Sequence, residues 1–120
     1  MKKTTLVLGA SLKEERYSNM AIHKLVQHNY DTVAVGLKDG TVAGISVQTS
    51  FENLNTIDTV TLYLNPLRQQ KYYDDIVSLE PRRVIFNPGT ENPEFYEILK
   101  QNKIEVEVAC TLVLLSTKQY

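Results

Sequence analysis

The stretch Leu8–Leu25, LGASLKEERYSNMAIHKL, begins as the end of a buried strand and finishes as an amphipathic helix. The strand reaches back to Thr5, because Thr5–Ala10 is a continuous run of small, β-branched and apolar residues, the pattern of a strand covered on both faces. The helix is read from Ser18, a good N-cap, with Ile22, Leu25 and Val26 spaced i, i+3 and i+4 on one face. His23, Lys24, Gln27 and His28 then face outward, and Asn29 closes the helix in the left-handed conformation. Between strand and helix, Gly9 lets the backbone turn sharply and lets an anion approach its amide groups. The turn is neither GxGxxG nor GxxxxGK[ST], which argues against the two best-known glycine-rich phosphate loops.

The alternation continues along the chain. Thr32–Val35 is a second buried strand, LKDGTVAG a turn-rich connection, and Ile45–Gln48 a short third strand. Thr59–Leu64 is the next clear strand, followed at once by Asn65-Pro66, an N-cap with proline at the first helical position. That helix carries Tyr73, Ile76 and Val77 on one face and stops before Pro81. Arg83–Phe86 is a strand again, then comes NPGTENP, whose Asn92-Pro93 repeats the helix start ahead of the inward face Phe95, Ile98 and Leu99. Ile104–Ala109 is the last strand, and CTLVLLS begins a short terminal helix. Buried strands alternating with helices pair in parallel through right-handed crossovers. The expected architecture is therefore α/β: a three-layer, doubly wound Rossmann-like fold with a mainly parallel sheet of five to six strands. In such sheets the ligand lies beyond the carboxyl ends of the strands, near the switch point. The loops there are Gly9–Ser18, Gly36–Asp39, Asn65–Pro66 and Asn87–Thr90.

Size and composition set outer limits. The 120 residues are read as one domain, residues 1–120, with 42% hydrophobic and 22% charged residues as in ordinary soluble proteins. A formal net charge of −1 gives the whole chain no case for nucleic acid or an anionic membrane surface. No apolar run approaches the roughly 20 residues of a membrane span, and the apolar part of MKKTTLVLGAS is shorter than a signal-peptide core and reads as the first strand. The single cysteine permits no internal disulfide. A cytoplasmic protein is the expectation.

Dinucleotide readers place an acid about 20 residues after the first loop to grip a ribose. Here the second strand ends VAVGLK, with Lys38 where that acid is wanted, and a lysine suits a phosphate on the ribose better than free hydroxyls. Lys13, Arg16 and Lys38 thus put three cations on two adjacent loops of a nearly neutral chain. In NPGTENP, Pro88-Gly89 favours a tight turn with positive φ at the glycine, and Asn87 and Thr90 offer polar groups at the strand ends. Catalytic and metal-binding constellations do not emerge: His23 and His28 are five apart, the Glu14-Glu15 and Asp74-Asp75 pairs read as solvated surface, and Cys110 reads as a small buried residue.

The strings VLGAS (Val7–Ser11), KEERYSN (Lys13–Asn19), AVGLK (Ala34–Lys38), YLNP (Tyr63–Pro66), FNPGTEN (Phe86–Asn92) and EVACTLVLLST (Glu107–Thr117), in this order, carry a resemblance over nearly the whole chain. The chain resembles the small stand-alone CoA-binding proteins, relatives of the CoA-binding Rossmann domain of the succinyl-CoA synthetase alpha subunit. The resemblance implies a module for coenzyme A or an acyl-CoA. It implies the ADP part over Gly9, Ala10, Ser11, Lys13, Arg16, Tyr17 and Ser18, and Lys38 near a CoA phosphate. Asn65 and Pro66 would border the nucleotide, and Asn87, Pro88 and Gly89 would line the path of the pantetheine arm. The synthetase's active-site histidine, second domain and grasp domain have no match here, so binding carries over and the ligase reaction does not.

The reading is a CoA-binding module without catalytic machinery of its own. Two other readings stand beside it: a minimal NADP-binding oxidoreductase component, for which Lys38 argues NADP over NAD, and a regulatory or interaction domain with no small ligand. A homodimer or an unidentified protein partner is compatible with any of them.

Overall fold

The computed structural model describes residues 3–120; Met1 and Lys2, part of the basic start weighed above as a leader, lie outside them. Seven strands form one sheet: β1 (Thr4–Ala10), β2 (Asp31–Gly36), β3 (Gly40–Val42), β4 (Ile45–Gln48), β5 (Ile57–Leu62), β6 (Arg83–Phe86) and β7 (Glu105–Val108). Their order is β3-β4-β2-β1-β5-β6-β7. Every neighbouring pair is parallel except β3 and β4, which form an antiparallel hairpin at one edge. The doubly wound α/β expectation holds, with one strand more than its upper bound. The additional strand is β3, inside the stretch read as a turn-rich connection. Its three residues include Gly40, too short and too glycine-bearing to show an alternating pattern.

The helices are α1 (Tyr17–Gln27), α2 (Pro66–Gln69), α3 (Tyr73–Leu79), α4 (Pro93–Gln101) and α5 (Thr111–Ser116), with a 3₁₀ turn at Gln70–Tyr72 between α2 and α3. Successive residues of β1 serve opposite faces, as strand geometry requires. Leu6 and Leu8 join Ile76, Phe95 and Leu99 in the core under α3 and α4, whereas Val7 joins Ile22, Leu25 and Leu115 under α1 and α5. This three-layer arrangement explains why β1 reads as uninterrupted apolar sequence. Full burial of each such leucine or isoleucine is worth about 1.5–3 kcal/mol.

Helix ends follow the asparagines. Asn65 Oδ1 accepts from the Arg68 amide at 2.9 Å, Asn92 Oδ1 from the Phe95 amide at 3.3 Å, and Pro66 and Pro93 sit at the first helical positions. Asn29 follows α1 with φ of +63°. The start of α1 differs from expectation: Arg16 occupies the N-cap without a side-chain cap bond, and Ser18 is buried in the first turn. The Arg16 amide bonds the Lys13 carbonyl at 3.1 Å, so the chain is already turning before Ser18 is reached.

Candidate functional site

The chain runs outward from β1 through β2 to β4, then crosses to β5 on the other side of β1. β1 and β5 are therefore the switch point, and beyond their carboxyl ends lies a cleft of about 580 Å³. Across the sheet its walls come from the β2, β1, β5 and β6 loops in turn.

Gly9 makes the junction possible. It takes φ of +92°, and a Cβ there would stand 2.9 Å from both the carbonyl carbon and the oxygen of Tyr63. The glycine thus serves the close approach of the β1 and β5 ends as well as any ligand. Beyond it, the Asn19 side chain donates to the Ser11 carbonyl at 2.9 Å, and the Lys13 amide donates to Ser11 Oγ at 3.1 Å. These bonds hold the first loop against the start of α1. With no side chain capping α1, its first-turn amides remain for solvent or an anion.

Of the residues singled out from the sequence, Gly9, Ala10, Ser11, Lys13, Arg16, Tyr17, Ser18, Lys38, Asn65, Pro88 and Gly89 line the cleft. Tyr17 is 70% exposed at its rim. Pro66 and Asn87 do not line it. Asn87 is buried and spent within the fold: its Nδ2 donates to Thr61 Oγ1 at 2.6 Å and to the Leu62 carbonyl at 2.9 Å, and its Oδ1 accepts from the Thr111 amide at 2.8 Å. It fastens the end of β6 to β5 and to the start of α5. The turn after it forms as expected, with Gly89 at φ +92° and the Thr90 amide bonded to the Asn87 carbonyl at 3.0 Å.

Sequence reasoning missed Arg68, Tyr63, Tyr72 and Leu37, which also line the cleft, and Gln69, which stands behind it. Arg68 lies three residues after Asn65 and Gln69 four. A polar residue one turn into a helix opened by Asn-Pro was the available signal, masked by the surrounding polar run LRQQK. Arg68 makes four cations with Lys13, Arg16 and Lys38, and no Asp or Glu is among the described residues lining the cleft.

The Tyr63 hydroxyl is buried without a hydrogen-bond partner. Burial pushes it up to about 12, although Thr61 and Thr111 stand near enough to oppose part of that rise. Those two hydroxyls bond each other at 2.8 Å. Cys110 is half-buried rather than buried, following β7 at one edge of the sheet, and it does not line the cleft. His23 lies exposed on α1 and His28 exposed at its C-cap, and no group of three or more His, Cys, Asp or Glu among the described residues could hold a metal ion. No described helix is long and apolar enough to cross a membrane.

A family model described as a CoA binding domain matches residues 3–116. Among solved structures, an uncharacterized protein is 45% identical, with a TM-score of 0.95 and coverage of 100% of this chain and 99% of its own. A hypothetical protein from Pyrococcus horikoshii is 25% identical, with a TM-score of 0.85 and coverage of 98% and 83%. A Thermus thermophilus protein, 23% identical with a TM-score of 0.86 over 99% of this chain and 91% of its own, shares the fold. No curated protein matches the chain.

Proposed function

The chain belongs to the CoA-binding domain family, and from that premise we propose that it holds CoA or an acyl-CoA in the cleft beyond β1 and β5. The observation that carries the reading is electrostatic. A chain of net charge −1 gathers Lys13, Arg16, Lys38 and Arg68 around one cleft that no carboxylate lines among the described residues. A ligand with a diphosphate and a further ribose phosphate matches that set. The diphosphate lies against the first loop and the uncapped start of α1, within reach of Lys13 and Arg16. Lys38, in the loop after β2, takes the ribose phosphate. The pantetheine arm then crosses the ends of β5 and β6, leaving Asn65 at the border of the nucleotide and passing Pro88 and Gly89. No side chain of this set is arranged to activate a nucleophile, and the reading is of a binding module rather than a catalyst.

Substituting Lys13→Ala and Arg16→Ala together tests it, since both side chains are exposed and the fold does not depend on them. Two charge-assisted hydrogen bonds at about 1.5 kcal/mol each predict a loss of about a hundredfold in CoA affinity, read by calorimetry. Undiminished CoA binding by the double variant would remove the first loop from the site.

A further inference from the structure

Gln69 is fully buried behind the cleft, and its whole amide is in use. Nε2 donates to the Leu64 carbonyl at 2.8 Å and to the Thr90 carbonyl at 2.8 Å, while Oε1 accepts from Asn92 Nδ2 at 2.9 Å. Leu64 belongs to the loop after β5 and Thr90 to the loop after β6, and both residues line the cleft. One side chain therefore spans the two loops on one side of the switch point and turns a carbonyl of each inward. The β1 and β2 loops, with three of the four cleft cations, Lys13, Arg16 and Lys38, lie on the other side and take no bond from it, while the fourth, Arg68, lies on the Gln69 side.

We propose that Gln69 is the positioning residue for the half of the cleft that receives the pantetheine arm, and that the nucleotide half is held independently of it. The proposal rests on the CoA reading above. Without the Gln69 donors, two carbonyl oxygens at the arm's path lose their partners and are free to turn toward the ligand, and the spacing of the two loops is no longer fixed.

The test compares CoA with adenosine 3′,5′-bisphosphate, which lacks the arm, on the parent protein and on Gln69→Leu. CoA affinity is expected to fall about tenfold in the variant, because the two loops are no longer held at the spacing the arm requires. Affinity for the bisphosphate is expected to stay within about twofold, as for sites that do not share partners. Equal losses for both ligands, or no loss for either, would overturn the proposal. A parent protein that binds neither ligand would overturn the CoA reading itself. Should Gln69→Leu fail to fold, hydrogen exchange on the parent protein decides. CoA should slow exchange in peptides covering residues 63–69 and 88–92, and the bisphosphate only in those covering 9–18 and 36–39, the loops that carry Lys13, Arg16 and Lys38. Protection of residues 63–69 and 88–92 by the bisphosphate would overturn the division of the cleft.

Discussion

Gly36 ends β2 where a Cβ would lie 2.2 Å from the Ala10 carbonyl oxygen, a contact with backbone that cannot swing aside. Gly44, in the β3–β4 turn, has φ of +79° and nothing within 4 Å of its missing side chain. Gly36→Ala should therefore cost about 2–3 kcal/mol of stability in urea unfolding, against about 1 kcal/mol for Gly44→Ala, which strains only the backbone. Equal effects would mean that β1 and β2 are less tightly apposed at their ends. Tyr63 supplies a second residue-scale prediction. An unpartnered buried hydroxyl contributes nothing by hydrogen bonding, so Tyr63→Phe should leave stability at neutral pH unchanged or raise it by up to about 1 kcal/mol. The folded state also holds the Tyr63 proton more tightly than the unfolded chain, with its titration moved from 10.0 to about 12. Stability should thus fall as pH rises from 10 towards 12, and less steeply in Tyr63→Phe; identical alkaline slopes would place the hydroxyl in water. Gly9 and Gly89 were legible in the sequence because they sit at strand ends beside turn formers. The demand on Gly36 was not, since it comes from a strand 26 residues earlier in the chain.

Two asparagine caps that look alike in sequence differ in what else they hold. Asn65 bonds the Arg68 amide at the exposed start of α2, whereas Asn92 caps α4 and also donates to Gln69 at 2.9 Å and to the Tyr73 hydroxyl at 2.8 Å. Asn65→Ala should cost about 1 kcal/mol, the usual value of a cap, and Asn92→Ala about 2–3 kcal/mol because buried groups lose partners as well. Thermal unfolding of the two variants separates these expectations, and equal shifts would mean that the buried network adds nothing. Elements opened by Asn-Pro were readable because cap and proline act within one turn. The start of α1 was misplaced because tertiary burial claims Ser18, and the helix read from Asn65 to Pro81 is broken at Gln70–Tyr72. Strand β3 escaped notice because its pairing with β4, not its own pattern, makes it a strand.

At the scale of the whole molecule, the two ends of the sheet are built differently. At the amino ends of the strands the charges are paired: Arg82 bridges Asp58 at 3.1 Å and Glu105 at 3.6 Å. Burial alone would raise the Asp58 carboxyl, yet hydrogen bonds from Arg82 and Thr59 outweigh it and hold the group below its ordinary range. At the carboxyl ends the cations of the cleft stand without carboxylates among the described lining residues. Topology and the position of the cleft were legible because alternation of elements fixes the switch point. The paired end and the Gln69 network were not, because they join residues more than 20 positions apart. The central claim, that the unpaired end holds CoA, is tested most directly by calorimetric titration of one protein preparation with CoA, dephospho-CoA and NADPH. The account predicts saturable binding of CoA, at least tenfold weaker binding of dephospho-CoA once the ribose phosphate is gone, and weaker binding of NADPH. Tighter binding of NADPH than of CoA, or no heat from any of the three, would contradict it.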